Sequence, residues 1–91
     1  MSKICQTVKI THDSGLHARA STEFVRLAQR FQAEVSVSRP EGMAVDGKSI
    51  IAVMTLGAQL GDEIVIETVG PDAMEALEAL ANLVRLDFHG V

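Results

Sequence analysis

The sequence predicts an α+β protein in which helices cover one face of a single sheet. Segments with alternating apolar and polar residues, typical of strands, are interspersed with segments whose apolar residues recur every three or four positions, typical of helices. The resulting order is strand, helix, strand, strand, helix, strand, helix. Because the strands are apolar on one face only, stacking all three helices on that face buries both sets of apolar residues.

The first half of the chain contains four of these elements. Residues 4–10 alternate between apolar and polar side chains and predict the first strand. Apolar residues at positions i, i+3, i+4 and i+7 predict a helix over residues 18–31. Residues 33–38 alternate again, and the turn-forming residues 39–42 separate this second strand from a short third strand at residues 43–46.

The second half of the chain contains the other three elements. Ser49 precedes a short apolar run that ends at Gly57, which predicts a second, capped helix. Residues 63–68 alternate and predict the fourth strand. Residues 70–72 open the last helix, where Asp72 is favourably placed for the helix dipole. An apolar stripe follows along this helix: Ala73, Ala76, Leu77, Leu80, Leu83 and Val84.

Length and composition limit the class of protein. Ninety-one residues, 47% of them hydrophobic, predict one domain spanning residues 1–91. The longest strongly apolar run, residues 50–54, is far shorter than a membrane span, and the N-terminus lacks a secretory signal. We therefore expect a cytoplasmic protein without membrane insertion. The single cysteine, Cys5, has no clustered ligands beside it, so we interpret it as a strand residue and expect neither a metal nor a cofactor.

The net charge of −4 is unevenly shared along the chain. Residues 1–60 hold seven Lys and Arg against five Asp and Glu, whereas residues 61–91 hold one Arg against seven acids. An acidic chain without Trp or Tyr offers neither a phosphate-neutralising patch nor stacking rings, so we expect no nucleic-acid partner. A basic face that receives an acidic protein partner is the better interpretation, and chance asymmetry on a solvated surface is the alternative.

His17 stands where the first helix is predicted to begin. A helix N-terminus presents unpaired amide groups, here those of Ala18 and Arg19, together with a partial positive charge. Such a terminus favours an anion, for example a phosphoryl group, and the Arg19 side chain adds a full charge. A neutral imidazole placed there can act as a nucleophile, and Gly15 lets the backbone turn sharply ahead of it. The alternative is that His17 only caps the helix.

A Gly-Leu-His-Ala-Arg segment followed, at this separation, by Gly-Lys-Ser at residues 47–49 resembles the HPr/NPr phosphocarrier family of the bacterial phosphoenolpyruvate-dependent phosphotransferase system. The similarity covers nearly all 91 residues. It implies an open-faced sandwich of a four-stranded antiparallel sheet and three helices. It also implies a monomeric phosphocarrier, an intermediate of a phosphotransferase relay that is not itself an enzyme. Ala20 stands where the family commonly has proline, which leaves the sugar-transport or nitrogen branch open.

The resemblance also implies roles for individual residues. His17 would take a phosphoryl group from enzyme I and pass it to an enzyme IIA domain, while the amides of Ala18 and Arg19 and the Arg19 guanidinium stabilise that group. Ser49 would be the regulatory serine, phosphorylated by HPr kinase/phosphorylase; equally, it could serve only as an N-cap. Five further residues would form a docking surface for these partners beside His17: Leu16, Arg26, Lys48, Ile50 and Met54.

Two further classes of function stay open from the sequence. The first is a non-catalytic interaction module that binds enzymes or transcription factors without carrying phosphate, for which loss of the reactive histidine would be diagnostic. The second is a small-ligand-binding α+β domain, which would have a pocket between its helices. The other two histidines are assigned no role, because His12 lacks a carboxylate partner at a defined spacing and His89 falls in a tail expected to fray.

Overall fold

The computed structural model describes residues 2–91 and contains the seven predicted elements in the predicted order. The four strands form one antiparallel sheet with the spatial order β1-β4-β2-β3. The α+β class and the four-stranded antiparallel sheet are thereby confirmed. The strands are β1 (Ile4–Lys9), β2 (Glu34–Ser38), β3 (Val45–Asp46) and β4 (Glu63–Val69), and the helices are α1 (Ala18–Ala28), α2 (Ile50–Met54) and α3 (Ala73–Arg85).

The central strand β4 determines which residues face the helices. Val8 of β1 pairs with Ile64, and Val37 of β2 pairs with Ile66. Because side chains alternate across a strand, these paired residues share one face, and all four are buried. The opposite face is more polar and includes the exposed Cys5, as expected for a strand residue. Among residues 2–91, no helix has the length and apolar character needed to cross a membrane.

Helix α1 is shorter than the predicted helix over residues 18–31. It ends at Ala28, after which the Phe31 amide donates to the carbonyl of Ala28, three residues back, as in a 3-10 turn. This tightening rotates the following residues, so that Phe31 is only half-buried. The buried stripe of α1 is therefore centred on Phe24 and Val25.

Strand β3 is also shorter than predicted. It contains only Val45 and Asp46, whose partners are Val37 and Ser36, while Met43 is exposed. Residues 43 and 44 lie between the turn and the strand without pairing, and the chain joins the sheet only at Val45 and Asp46.

Asp72 ties the start of α3 to the segment before β2. Its carboxylate accepts the amide N–H groups of Gln32 at 2.9 Å and Ala33 at 2.8 Å. These bonds, the Gln32 bond foremost, hold the pKa of the Asp72 carboxyl below its ordinary value of 3.8, and the nearby Lys48 ammonium acts in the same direction. Asp72 occupies the N-cap position of α3, but its side chain makes no capping bond. Its carboxylate instead connects α3 to the segment before β2.

Asp72→Asn is expected to lower the melting temperature at neutral pH. Because folding lowers the pKa of Asp72, the carboxylate contributes stability above pH 3.8, and this contribution is lost as the pH falls through the folded-state pKa. Thermal unfolding followed by circular dichroism between pH 2 and pH 7 should therefore show a difference between the two proteins that shrinks towards pH 2. Glu75→Gln, which alters an exposed acid in the first turn of α3, is the matched control. A difference that is constant with pH would contradict this account.

The residues after α3 are packed, which corrects the expectation of a frayed tail. We call residues 87–91 the closing turn. Asp87, Phe88 and His89 all adopt left-handed φ angles, between 53° and 59°, and such a conformation costs about 1–2 kcal/mol per residue. Complete burial of Phe88 and a hydrogen bond from the Thr11 hydroxyl to the Asp87 carboxylate offset this cost. His89 itself is exposed.

Candidate functional site

His17 is the N-cap residue of α1, and both of its ring nitrogens have defined partners. Its backbone is extended, and Nδ1 accepts the amide N–H of Arg19 at 3.2 Å. Nε2 lies 3.3 Å from the backbone oxygen of Val91. Because that oxygen can only accept a hydrogen bond, Nε2 carries the ring proton and Nδ1 keeps its lone pair. The unprotonated nitrogen is thus directed at the positive end of α1.

The loop before α1 holds His17 in this position. Gly15 has a φ of 62°, and a Cβ atom there would lie 2.5 Å from the carbonyl oxygen of Ala58, which explains why the sharp turn requires glycine. The next amide, of Leu16, donates to the same Ala58 oxygen at 2.9 Å. The Leu16 side chain is only 6% exposed. The expected docking role of Leu16 is therefore corrected, because its side chain anchors the loop in the core.

Ala18 and Arg19 form the first turn of α1 and are both exposed. Their amides have no carbonyl acceptor within the helix, as is usual for a helix start. In the described part of the chain, the Arg19 side chain makes no hydrogen bond or ion pair. The guanidinium is therefore available to an anion placed beside His17.

Ser49 is the N-cap residue of α2. Its hydroxyl oxygen accepts the Ala52 amide at 3.3 Å, and the residue is half-buried. The predicted capped helix is confirmed, and Ser49 contributes to its stability in the ordinary way. The same hydroxyl lies beside the exposed residues of α2.

Helix α2 presents an apolar surface to solvent. Ile50 is 39% exposed, Ile51 is 76% exposed and Met54 is 40% exposed, while Val53 is completely buried. We call Ile50, Ile51 and Met54 the α2 patch. The sequence indicated Ile50 and Met54 but not Ile51, because the side of so short a helix that faces the core cannot be read from its periodicity. With Val53 in the core, Ile51 is the most exposed of the three.

The two basic residues of the expected docking surface differ in position. Arg26 lies in the last turn of α1 and is exposed. Lys48 is half-buried, and its ammonium donates to the Phe31 carbonyl at 2.7 Å, beyond the end of α1. Since α1 begins at His17, Lys48 is separated from it by a helix about 16 Å long. Lys48 therefore lies at the Ile50 end of the α2 patch, away from His17, and its role in docking stays a prediction.

The site includes two residues that the sequence did not indicate. The ring of His12 lies 4.9 Å from that of His17, measured between centroids, and the backbone oxygen of Val91 contacts both rings. No pattern in the neighbouring sequence predicts either contact, because the closing turn is brought to His17 by the packing of Phe88 in the core. Across residues 2–91, no group of three or more His, Cys, Asp or Glu is arranged to hold a metal ion.

A half-exposed histidine whose unprotonated ring nitrogen lies at a helix start is the arrangement expected of a protein that carries a phosphoryl group. Comparison with known proteins identifies the class. Residues 4–85 match the family model described as "PTS HPr component phosphorylation site". The chain therefore belongs to the HPr/NPr family of phosphocarrier proteins of the phosphotransferase system. Proteins of this family carry a phosphoryl group and are not enzymes.

Individual relatives cover almost the whole chain. The chain is 47% identical over 79 residues to the phosphocarrier protein HPr of Cupriavidus necator, covering 87% of this chain and 88% of the relative. It is 39% identical over 83 residues to the phosphocarrier protein NPr of Escherichia coli K12, covering 91% and 92% respectively. The crystal structure of HPr from Bacillus anthracis superposes with a TM-score of 0.86 at 39% identity, covering 92% of this chain and 99% of that chain.

Proposed function

We propose that this chain accepts a phosphoryl group from enzyme I on Nδ1 of His17 and passes it to an enzyme IIA domain. One observation carries the proposal: the unprotonated Nδ1 lies at the start of α1, where its lone pair accepts the Arg19 amide, while Nε2–H donates to the Val91 oxygen. His17 is half-exposed, so two different partners can reach the same nitrogen in turn.

The transfer forms one bond and breaks one bond. The Nδ1 lone pair attacks the phosphorus atom on phosphorylated enzyme I, and the electron pair of the breaking bond returns to the donor. Nε2 keeps its proton, so the His17 ring becomes positively charged, and the Val91 oxygen stabilises that charge. The Arg19 amide, released from Nδ1, then donates to a phosphoryl oxygen, and the reverse steps deliver the group to enzyme IIA.

An exposed helix start suits a carrier better than an enclosed anion site would. Interactions of an anion with an exposed helix terminus are worth about 0.3–1 kcal/mol each, so the phosphoryl group is stabilised without being trapped. The same exposure of Ala18 and Arg19 leaves the group open to attack by the next partner.

Docking is proposed to involve the α2 patch together with the basic residues Arg26 and Lys48. The amide of Leu16 bonds to Ala58, and the side chain of Gln29 bonds to the carbonyl of Lys48, so α2 runs alongside α1 in the opposite direction. Met54 is consequently the patch residue nearest to the His17 end. We propose that residues 1–91 act as a single monomeric carrier domain in the cytoplasm and meet acidic partner surfaces.

A relay assay tests this function. The purified chain is incubated with phosphoenolpyruvate and enzyme I, and enzyme IIA is then added while the intact mass of each protein is followed. The chain should gain one phosphoryl group and lose it to enzyme IIA. Supplying sugar-branch and nitrogen-branch IIA proteins in parallel distinguishes the alternative, an NPr-type regulatory carrier. A chain that gains no phosphoryl group, or that gains one and delivers it to no IIA, would overturn the proposal.

Arg19→Ala should slow phosphoryl transfer with little change in folding. A charged donor is lost from an exposed site, so we expect kcat to fall by about tenfold, less than the loss typical of an enclosed oxyanion site. Arg19→Lys should recover only part of the rate, because an ammonium cannot reproduce the planar fork of the guanidinium. Arg26→Ala is the matched control, and it should change KM more than kcat. Equal rates for wild type and both Arg19 variants would exclude a role for Arg19 in stabilising the phosphoryl group.

Ser49→Asp should weaken acceptance from enzyme I while leaving α2 intact. Aspartate is a good N-cap, so the helix tolerates it. The new charge beside Ile50 opposes an acidic partner and must be desolvated on docking, which we expect to lower kcat/KM about three- to tenfold. Steady-state kinetics with Ser2→Asp, the same change at an exposed position outside the α2 patch, supply the control. Unchanged kinetics for Ser49→Asp would leave Ser49 as a structural cap only.

A further inference from the structure

His12 and His17 are bonded in the same way, although they are five residues apart. Nδ1 of His12 accepts the amide of Ser14 at 3.1 Å, two residues on, as Nδ1 of His17 accepts the amide of Arg19. Nε2 of His12 is hydrogen-bonded to the backbone oxygen of Val91, the same oxygen that receives Nε2–H of His17. Since this oxygen is only an acceptor, both rings carry their proton on Nε2.

The His12 side chain is held firmly enough to fix its partner. It is half-buried, and its ring packs edge-on against Phe88, with the centroids 6.2 Å apart. The neighbouring Thr11 hydroxyl bonds to the Asp87 carboxylate. The segment that follows β1 therefore contacts the closing turn through two successive residues, Thr11 and His12, and His12 is the one that reaches the Val91 oxygen.

A shared metal ion is a different role that two imidazoles and an oxygen could play. Metal binding at Nε2 would leave the remaining ring proton on Nδ1. In both rings, however, Nδ1 faces an amide N–H, from Ser14 or Arg19, and two donors would then oppose each other. The geometry therefore favours hydrogen bonding of both Nε2–H groups to Val91.

We propose that His12 is a positioning residue for the phosphoryl acceptor. It holds the Val91 oxygen where that oxygen receives Nε2–H of His17, which keeps Nδ1 of His17 unprotonated and aimed at the start of α1. His12 acts through Val91 and does not touch the phosphoryl group. The inference rests on the proposed function and deepens it, because it assigns the choice of the reactive nitrogen to a second histidine.

Two substitutions separate the two hydrogen bonds of His12. His12→Asn keeps an acceptor in the place of Nδ1, so the turn to Ser14 is retained, but it is too short to reach Val91. His12→Gln places an amide donor where Nε2 was and can retain the bond to Val91. We expect kcat for acceptance from enzyme I to fall about three- to fivefold in His12→Asn and to stay within about twofold of wild type in His12→Gln, with KM unchanged in both.

Nitrogen-15 NMR of the histidine rings supplies a readout that does not depend on phosphoryl transfer. At alkaline pH, where imidazoles are neutral, wild-type His12 and His17 should both show a protonated Nε2. In His12→Asn the His17 signals should shift towards a mixture of tautomers, and in His12→Gln they should stay as in wild type. A wild-type His17 protonated on Nδ1, or a His12→Asn variant with wild-type kcat and spectrum, would overturn the inference.

The outcomes for the positioning role and for the carrier function are distinct. If wild type is not phosphorylated by enzyme I, the carrier function fails, and the tautomer measurement still decides the role of His12. If wild type is phosphorylated and both variants match it, only the positioning role fails. Melting curves show whether either variant is misfolded. If one is, the nitrogen-15 spectrum of wild type decides, because a His17 ring protonated on Nδ1 would overturn the positioning role.

Discussion

Replacing His17 with alanine is expected to abolish phosphoryl acceptance from enzyme I. Of the three histidines, only His17 presents an unprotonated ring nitrogen at a helix start. Nδ1 of His12 is bonded to the Ser14 amide in a turn, and His89 is exposed on the closing turn. Incubation with phosphoenolpyruvate and enzyme I, followed by intact mass, should show no added phosphoryl group on His17→Ala.

The loss is expected without unfolding. His17 supplies one capping contact to α1, and losing a cap typically costs about 0.5–2 kcal/mol, which a folded domain of this size tolerates. His89→Ala is the matched control and should accept the phosphoryl group as wild type does. If His17→Ala gains one phosphoryl group under the same conditions, His17 is not the acceptor.

Phe88→Ala is expected to cause a large loss of stability. Phe88 is completely buried in the core, and substitutions of this kind cost about 3–5 kcal/mol. The same burial stabilises three residues with left-handed φ angles, so the closing turn should also detach. Urea unfolding gives the free energy of unfolding for comparison with Phe31→Ala, where the ring is only half-buried and a smaller loss is expected. A loss of less than about 1 kcal/mol for Phe88→Ala would show that the closing turn is not anchored by this ring.

The elements that the sequence predicted well are those with local causes. The order of strands and helices follows from apolar periodicity, and the starts of α1 and α2 follow from capping residues at His17 and Ser49. The ends were predicted less well, since the last turn beyond Ala28 tightens for reasons that a periodic pattern does not contain. The closing turn was missed because its left-handed residues are stabilised by a distant ring, Phe88, in the core.

In the candidate site, too, residues with local causes were predicted and residues placed by tertiary packing were not. His17 and Arg19 were predicted because both belong to one local feature, a helix start. His12 and Val91 were not, since their contacts with His17 depend on how the closing turn packs. Tertiary contacts also decide the environment of Leu16, which is in the core, and they bind the ammonium of Lys48 to a carbonyl beyond α1.

The central claim concerns one atom, Nδ1 of His17, and NMR of the phosphorylated protein tests it most directly. The chain is labelled with nitrogen-15 at histidine, phosphorylated through enzyme I, and examined for the coupling between phosphorus and each ring nitrogen. Our account predicts coupling to Nδ1 of His17, with Nε2 still protonated. Coupling to Nε2 of His17, or to a nitrogen of His12 or His89, would contradict it.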